Sequence, residues 1–255
     1  MTITKGEPNG GMWGILLFET SSSERSLDVS HLIVKTYAKA CKTVEHLGIL
    51  PPSGWIPSHP SLKSMTKPAA WHTGTATDPW HWRDRFASEG NPAYGRCIGS
   101  RPILITHGIF PLVRCLLASS QTVKERDTAR LLSRPTVQIY EIIGHHPGIE
   151  VRTLRKLAAL QDTADKHAFD HALIDWQNTA DIVISGVAEN QHNQSINSGW
   201  NGTCSMLAER WMEQHRIKPL QLSSADATTQ LFSWLRSRWE EQAVWYLHRK
   251  LAPFP

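Results

Sequence analysis

The chain has 255 residues, with 27 Lys and Arg against 23 Asp and Glu, a formal charge of +4 and a pI near 8.9. That length can bury a full core in one large unit or two closely packed small ones, and the mild positive charge suits a polyanionic partner while falling short of a dedicated nucleic-acid coat protein. Cys41, Cys97, Cys115 and Cys204 stand far apart with no Cys-x-x-Cys, which excludes zinc-ribbon and dithiol motifs and predicts reduced, mostly buried thiols in a cytoplasmic protein.

Residues 1–25 are rich in Gly, Ser and Thr and predict a disordered arm. Its apolar run from Met12 to Phe18 is too short to cross a bilayer and has neither a basic cluster before it nor a small-residue cleavage site after it, so no membrane span or signal peptide is expected. A helix is expected from a cap at Asp28 to about His46, with Ile33, Tyr37, Ala40, Cys41 and Val44 near helical spacing and Gly48 as the stop. The proline-rich segment from Ile49 to Pro60 fits only an extended path along the surface.

The densest chemistry lies in Trp71 to Arg85, where three indoles, two imidazoles, two carboxylates and two guanidiniums share fifteen residues. Gly74 and Pro79 break the backbone there, so an ordered loop is expected, with a short helix from Asp78 onward. Next come two strands, Tyr94 to Ile98 and Ile103 to Thr106, joined as a hairpin through Gly99-Ser100-Arg101-Pro102. A short helix from Ile109 to Leu117 and a polar helix from about Thr122 to Leu132 complete a first unit, 26–132.

A second unit, 133–201, starts at Ser133-Arg134-Pro135, a serine cap with proline in the first turn. Its helix carries Ile139, Ile142 and Ile143 and ends at His145-His146-Pro147-Gly148. A minimal strand (Ile149 to Val151), a helix capped by Thr153, a turn and a helix from about Asp165 to Asn178 follow, the last with Phe169, Ala172, Leu173 and Trp176 on one stripe. Asp181 to Val187 reads as a strand, then a polar loop from Glu189 to Gly199 precedes Trp200. This is the element order of a winged helix-turn-helix, whose third helix enters the major groove. Residues 202–255 form C-terminal helices, one from Met206 to His215 and one from about Ser224 to Leu251 carrying Leu231, Trp234, Leu235, Trp239 and Trp245.

With both units laid out, the chain resembles the AlkZ-related branch of bacterial winged-helix proteins, named after the AlkZ-type DNA glycosylases that excise alkylated or crosslinked bases. The likeness is carried by Trp71-His72-Thr73-Gly74, Asp78-Pro79-Trp80, Trp82-Arg83, Ala93-Tyr94-Gly95, Ala168-Phe169-Asp170 and Asp181-Ile182-Val183-Ile184-Ser185-Gly186, and spans roughly Val44 to Met212. It implies a winged-helix fold and DNA as the partner. The Gln-x-Gln or Gln-x-Asp triplet of the proven glycosylases occurs nowhere in this chain, and Gln191-His192-Asn193-Gln194 has the wrong spacing.

The expected fold is therefore α+β and mostly helical, a winged helix-turn-helix joined to an N-terminal helical part with a small β-hairpin. Base excision needs a group that orients water and one that steadies a cationic sugar, which nominates Asp78 and His72. The bland reading has Asp78 capping the turn into Pro79 and Asp84 paired with Arg83 or Arg85. Trp80, Trp82, Arg83 and Arg85 are the expected DNA contacts of the first unit, with Arg96 and Arg101 available beside them, and Lys166, His167 and His171 those of the third helix. Between Ser133 and Trp200 the chain has five basic residues against eight acidic ones, the wrong sign for phosphate neutralisation. This keeps open a non-enzymatic module that contacts proteins, or itself as a homodimer, through the wing and the Trp-rich last helix. A metal-assisted hydrolase using His72, Asp78 and His81 is weaker, since their spacing matches no metal motif. No cofactor and no metal are expected.

Overall fold

A computed structural model describes residues 33–188 and 202–251. The arm 1–25, the Asp28 cap, the loop from Glu189 to Gly199 and Trp200 lie outside the described residues. The fold is α+β, built on one six-stranded antiparallel sheet. In chain order its strands are β1 (Ile49–Leu50), β2 (Ala93–Ile98), β3 (Arg101–Ile105), β4 (Ile149–Glu150), β5 (Ile182–Ala188) and β6 (Gly202–Leu207), and in space they run β1-β3-β2-β5-β6-β4.

The expected hairpin is therefore the middle of something larger. β2 pairs with β3 on one side, Tyr94 opposite Leu104, and with β5 on the other, Tyr94 opposite Ile184. The period-two alternation of the strands divides the core. Leu50, Tyr94, Leu104 and Ile184 point to a face covered by α1 (Tyr37–Leu47) and α2 (Pro79–Glu89), where they pack with Val44, Trp82 and Phe86. Ile49, Ala93, Ile103, Ile105 and Val183 point the other way, onto α3 (Phe110–Leu117), α8 (Ala208–Gln214), α9 (Ser224–Arg236) and α10 (Glu241–Leu251). A third apolar cluster joins α5 (Arg134–His145), α6 (Val151–Leu157) and α7 (Lys166–Asn178) around Ile139, Ile143, Leu154, Phe169 and the fully buried Trp176, whose indole N–H donates to the Thr136 carbonyl at 2.7 Å. Between α3 and α5 lies the short α4 (Val123–Thr128), held by a full capping box between Thr122 and Glu125.

Several expected boundaries move for physical reasons. The first helix starts at Tyr37, because the Thr36 hydroxyl accepts the Lys39 N–H and the residues before it are tied down by Val34 N–H donating to Met65 O; Ile33 consequently lies outside the helix and is exposed. Gly48 does end it, with φ of 72° and its N–H on Val44 O. Glu150, not Thr153, caps α6, accepting the Thr153 N–H at 2.9 Å. Met206 and Leu207 belong to β6 and the helix begins at Ala208. The single long C-terminal helix is two, broken after Arg236 where Trp239 turns inward and donates to the Leu47 carbonyl. All four cysteines are free; Cys97 is buried and the other three are half-buried.

Partly buried charge ties the sheet to its helices near the start of β5. Asp181 lies 3.8 Å from Arg114 of α3 and 3.7 Å from Arg126 of α4, and Arg114 also pairs with Glu209 of α8 at 2.8 Å. Burial pushes the Asp181 carboxyl up, with the Thr179 hydroxyl and the two guanidiniums pulling against it.

Candidate functional site

The local structure of Trp71 to Arg85 is organised by one carboxylate. Asp78 is the N-cap of α2 and Pro79 its first helical residue, the arrangement the orphan N–H groups of a helix start favour. The Asp78 side chain has no exposed surface. Its Oδ1 accepts N–H bonds from Trp80 at 2.9 Å and His72 at 3.1 Å, and its Oδ2 accepts one from Gly74 at 3.0 Å. Burial pushes its pKa up, but bonds from the backbone of Trp80, Gly74, His72 and Thr73 outweigh that and hold it below the ordinary carboxylate value. Those bonds also set the loop: His72 and Gly74 adopt positive φ, 60° and 68°, a conformation that costs a non-glycine residue and persists only where surroundings enforce it.

Two of the three indoles are anchors. Trp71 donates to Thr66 Oγ1 at 2.8 Å, and Trp82, 1 % exposed, donates to the Ala76 carbonyl at 3.2 Å while packing edge-on against Tyr37. Trp82, expected as a DNA contact, thus has its ring in the core. Trp80 faces outward and is half-buried, with the His72 ring 4.7 Å from its own and the Arg83 guanidinium 4.2 Å from its centroid. Arg83 also donates through Nε and Nη2 to Asp84 Oδ1, both at 3.1 Å. Arg85 turns to the other side of α2, where it pairs with Glu89 at 2.6 Å and sits 4.0 Å over the Tyr37 ring, whose hydroxyl donates to the same Glu89. The i,i+4 spacing of Arg85 and Glu89 is the sequence signal for this pair; the role of Tyr37, far off in sequence, has none.

One more cation belongs to this surface. The Tyr94 hydroxyl is pushed up by burial and pulled down by Arg83 and Arg96, so Arg96 of β2 and Arg83 of α2 both lie within electrostatic reach of it. The surface here is thus a ring pair, the partly exposed Trp80 and the exposed His72, with Arg83 against it and the exposed Arg96 on the neighbouring strand β2. Such a platform stacks a flat aromatic ligand and its cations meet phosphate.

Lys166, His167 and His171 lie exposed on α7, with the two imidazoles stacked 4.1 Å apart. Among the described residues no hydrogen bond, ion pair or ring contact joins them to the α2 group. The end of α7 does reach the hairpin, where Ser100 donates to Asn178 Oδ1 at 3.0 Å. His81 is exposed, 4.0 Å from Asp78 Oδ2, and among the described residues no three His, Cys, Asp or Glu converge on a position that could hold a metal. Among them, too, no helix is long and apolar enough to cross a membrane.

An α+β protein with a single antiparallel sheet, presenting a stacked indole, imidazole and guanidinium beside a capped helix start, is the class that these observations define. The family follows from comparison: a family model described as AlkZ related matches residues 34–252, and the chain belongs to the AlkZ-related family. The match reaches beyond the span from Val44 to Met212 and takes in both C-terminal helices, so these are part of the family fold. No curated protein and no solved structure matches the chain.

Proposed function

We propose that this protein binds DNA through the Trp80 surface, and that residues 133–201 act as a winged-helix module beside it. The observation that carries the reading is the outward Trp80 ring, held at a fixed height by the Asp78 cap and bracketed by His72 and Arg83. A ring so placed stacks on an unpaired or flipped base, while Arg83 and Arg96 neutralise neighbouring phosphates. The family's relation to AlkZ-type DNA glycosylases supports DNA as the partner. The order α5, β4, α6, α7, β5, β6, with β4 paired to β6, supports the winged-helix reading; its third helix offers Lys166, His167 and His171 as secondary contacts.

Within this reading Asp78 is a positioning residue. Both its oxygens already accept backbone N–H bonds and its side chain is sealed, an arrangement that favours recognition of an altered base over hydrolysis by this carboxylate. The absence of the Gln-x-Gln or Gln-x-Asp triplet argues the same way. Fluorescence anisotropy with duplexes that are intact, abasic or alkylated, across a salt series, tests the proposal. Tighter binding to the disrupted duplexes, weakened by Trp80→Ala and by Arg83→Ala, is the expected result. Equal affinity of wild type and both variants for every duplex would overturn it, and alkali-labile product from the alkylated duplex would restore excision as the activity.

A further inference from the structure

The opposite face of the sheet carries a second set of cations resting on rings, assembled from three segments distant in sequence. Trp55 of the proline-rich segment is fixed by its indole N–H donating to the Pro102 carbonyl. Over it lies Arg101 of the hairpin, 5.9 Å from the ring centroid; beside it lies Tyr246 of α10, centroids 6.3 Å apart; over Tyr246 lies the Lys250 ammonium at 5.8 Å. One position around the same helix, Trp245 is 57 % exposed, the most exposed indole among the described residues, with the Arg249 guanidinium 4.8 Å from its ring. Lys250 in turn runs beside the hairpin turn, its Cδ 3.8 Å from where a Cβ on Gly99 would be, and Ser58 donates to Gln242 at the other end of the stripe.

None of Arg101, Arg249 and Lys250 forms an ion pair with a described residue, in contrast to Arg83, Arg85 and Arg114, which do. The acidic groups nearest are Glu241 at the start of α10 and Glu240 just before it, a turn or more before the basic last turn of His248, Arg249 and Lys250. Cations held by rings instead of carboxylates keep their charge and their N–H donors for an incoming anion.

We infer that this surface, Trp55, Arg101, Trp245, Tyr246, Arg249 and Lys250, is a second nucleic-acid site that binds a single strand. Rings alternating with unpaired cations fit a chain that itself alternates bases and phosphates, and a single strand can offer its bases to the exposed Trp245 where a duplex cannot. A membrane surface fits worse, because the helix positions that neighbour Trp245 carry the polar Glu241, Gln242, His248 and Arg249. The site is independent of the Trp80 surface, since α10 and α2 cover opposite faces of the sheet.

The test uses the full chain, a labelled oligothymidylate of about 20 nucleotides at low salt, and vesicles containing phosphatidylserine. The triple variant Trp245→Ala, Arg249→Glu, Lys250→Glu changes only exposed side chains and is expected to lower oligothymidylate affinity by at least about tenfold, with Trp245→Phe restoring most of the stacking component in the single-site comparison. The same loss is expected when the triple change is made in a Trp80→Ala background, because the two surfaces lie on opposite faces of the sheet. The inference is overturned if wild type fails to bind the oligonucleotide, if only Trp80→Ala weakens it, or if the triple variant loses vesicle binding alone. Because the triple variant alters only the α10 surface and Trp80→Ala only the α2 surface, failure at one surface is read separately from failure at the other.

Discussion

Replacing Asp78 by alanine is the sharpest test of how the site is built. The change removes the cap of α2, worth about 1 kcal/mol at an ordinary helix start, and leaves the N–H groups of His72, Gly74 and Trp80 facing an empty space where three bonds had been. A buried unsatisfied donor costs about 1–3 kcal/mol, and with some relief from water entering the space the total comes to about 3–5 kcal/mol, a large share of the roughly 5–15 kcal/mol that domains possess. Urea unfolding followed by tryptophan fluorescence and by circular dichroism should show the midpoint of Asp78→Ala falling by about 1 M or more. Asp78→Asn keeps one accepting oxygen but turns an NH2 toward N–H donors, so it should lie between, near 2 kcal/mol. The pH dependence has a fixed sign. Asp78 has a folded pKa below its unfolded value near 3.9, so its stabilisation is complete above that value and disappears as pH falls through the folded one. The gap between wild type and Asp78→Asn should therefore narrow under acid. An Asp78→Ala protein as stable as wild type to within about 0.5 kcal/mol, or a gap that widens under acid, would refute the keystone role; a stable Asp78→Asn protein that loses excision would make the carboxylate catalytic.

Other consequences can be checked alongside. Trp80→Ala should weaken binding to abasic or mismatched duplex by about 1–3 kcal/mol, the usual worth of a base stack, while thermal unfolding shifts little, because the ring is not in the core. Gly90→Ala should cost about 1–2 kcal/mol or more from backbone conformation alone at a φ of 64°, and its Cβ would fall 2.1 Å from Nε2 of His215. The His215 pKa, held low first by burial and then by His107, should rise in that variant when followed by NMR. His59, stacked 3.7 Å from Trp239 and hydrogen-bonded to the Ile49 carbonyl, has its pKa lowered by burial to about 4 despite that bond. A histidine with a depressed folded pKa stabilises the protein fully above about pH 6.5 and loses that contribution as pH falls toward 4, on the order of 3 kcal/mol; His59→Phe should flatten wild type's acid sensitivity across that window, and an unchanged profile would reject the assignment.

Local signals account for much of what could be read in advance. The Asp78-Pro79 pair marks the start of α2, Gly48 the end of α1, Ser133-Arg134-Pro135 the start of α5, and the stripe Phe169, Ala172, Trp176 the buried side of α7, because each is decided by residues within a turn or two of one another. The pairing of β2 with β5 is decided by strands separated by five helices, and nothing in either strand names its partner. For the same reason Trp82 and Trp80, two residues apart in a run that reads as uniformly aromatic, went to opposite fates: the helical turn that exposes one ring delivers the other to Tyr37 and Phe86. Only the three-dimensional return of α10 across the hairpin brings Tyr246 to Trp55. Arg85 reads as a DNA contact although its i,i+4 spacing to Glu89 signals that it is already matched; only its place over the Tyr37 ring has no signal in the sequence.

The pairing of Tyr94 with Ile184 makes β2 an interior strand, flanked by β3 and β5. A chain cut between residues 132 and 133 would lose β5 and leave β2 with a row of bare N–H and C=O groups along a hydrophobic edge, an open template for any extended segment. The halves of this protein are thus each other's protection against self-association, and their separate expression should yield aggregates where co-expression yields a soluble, reassembled pair.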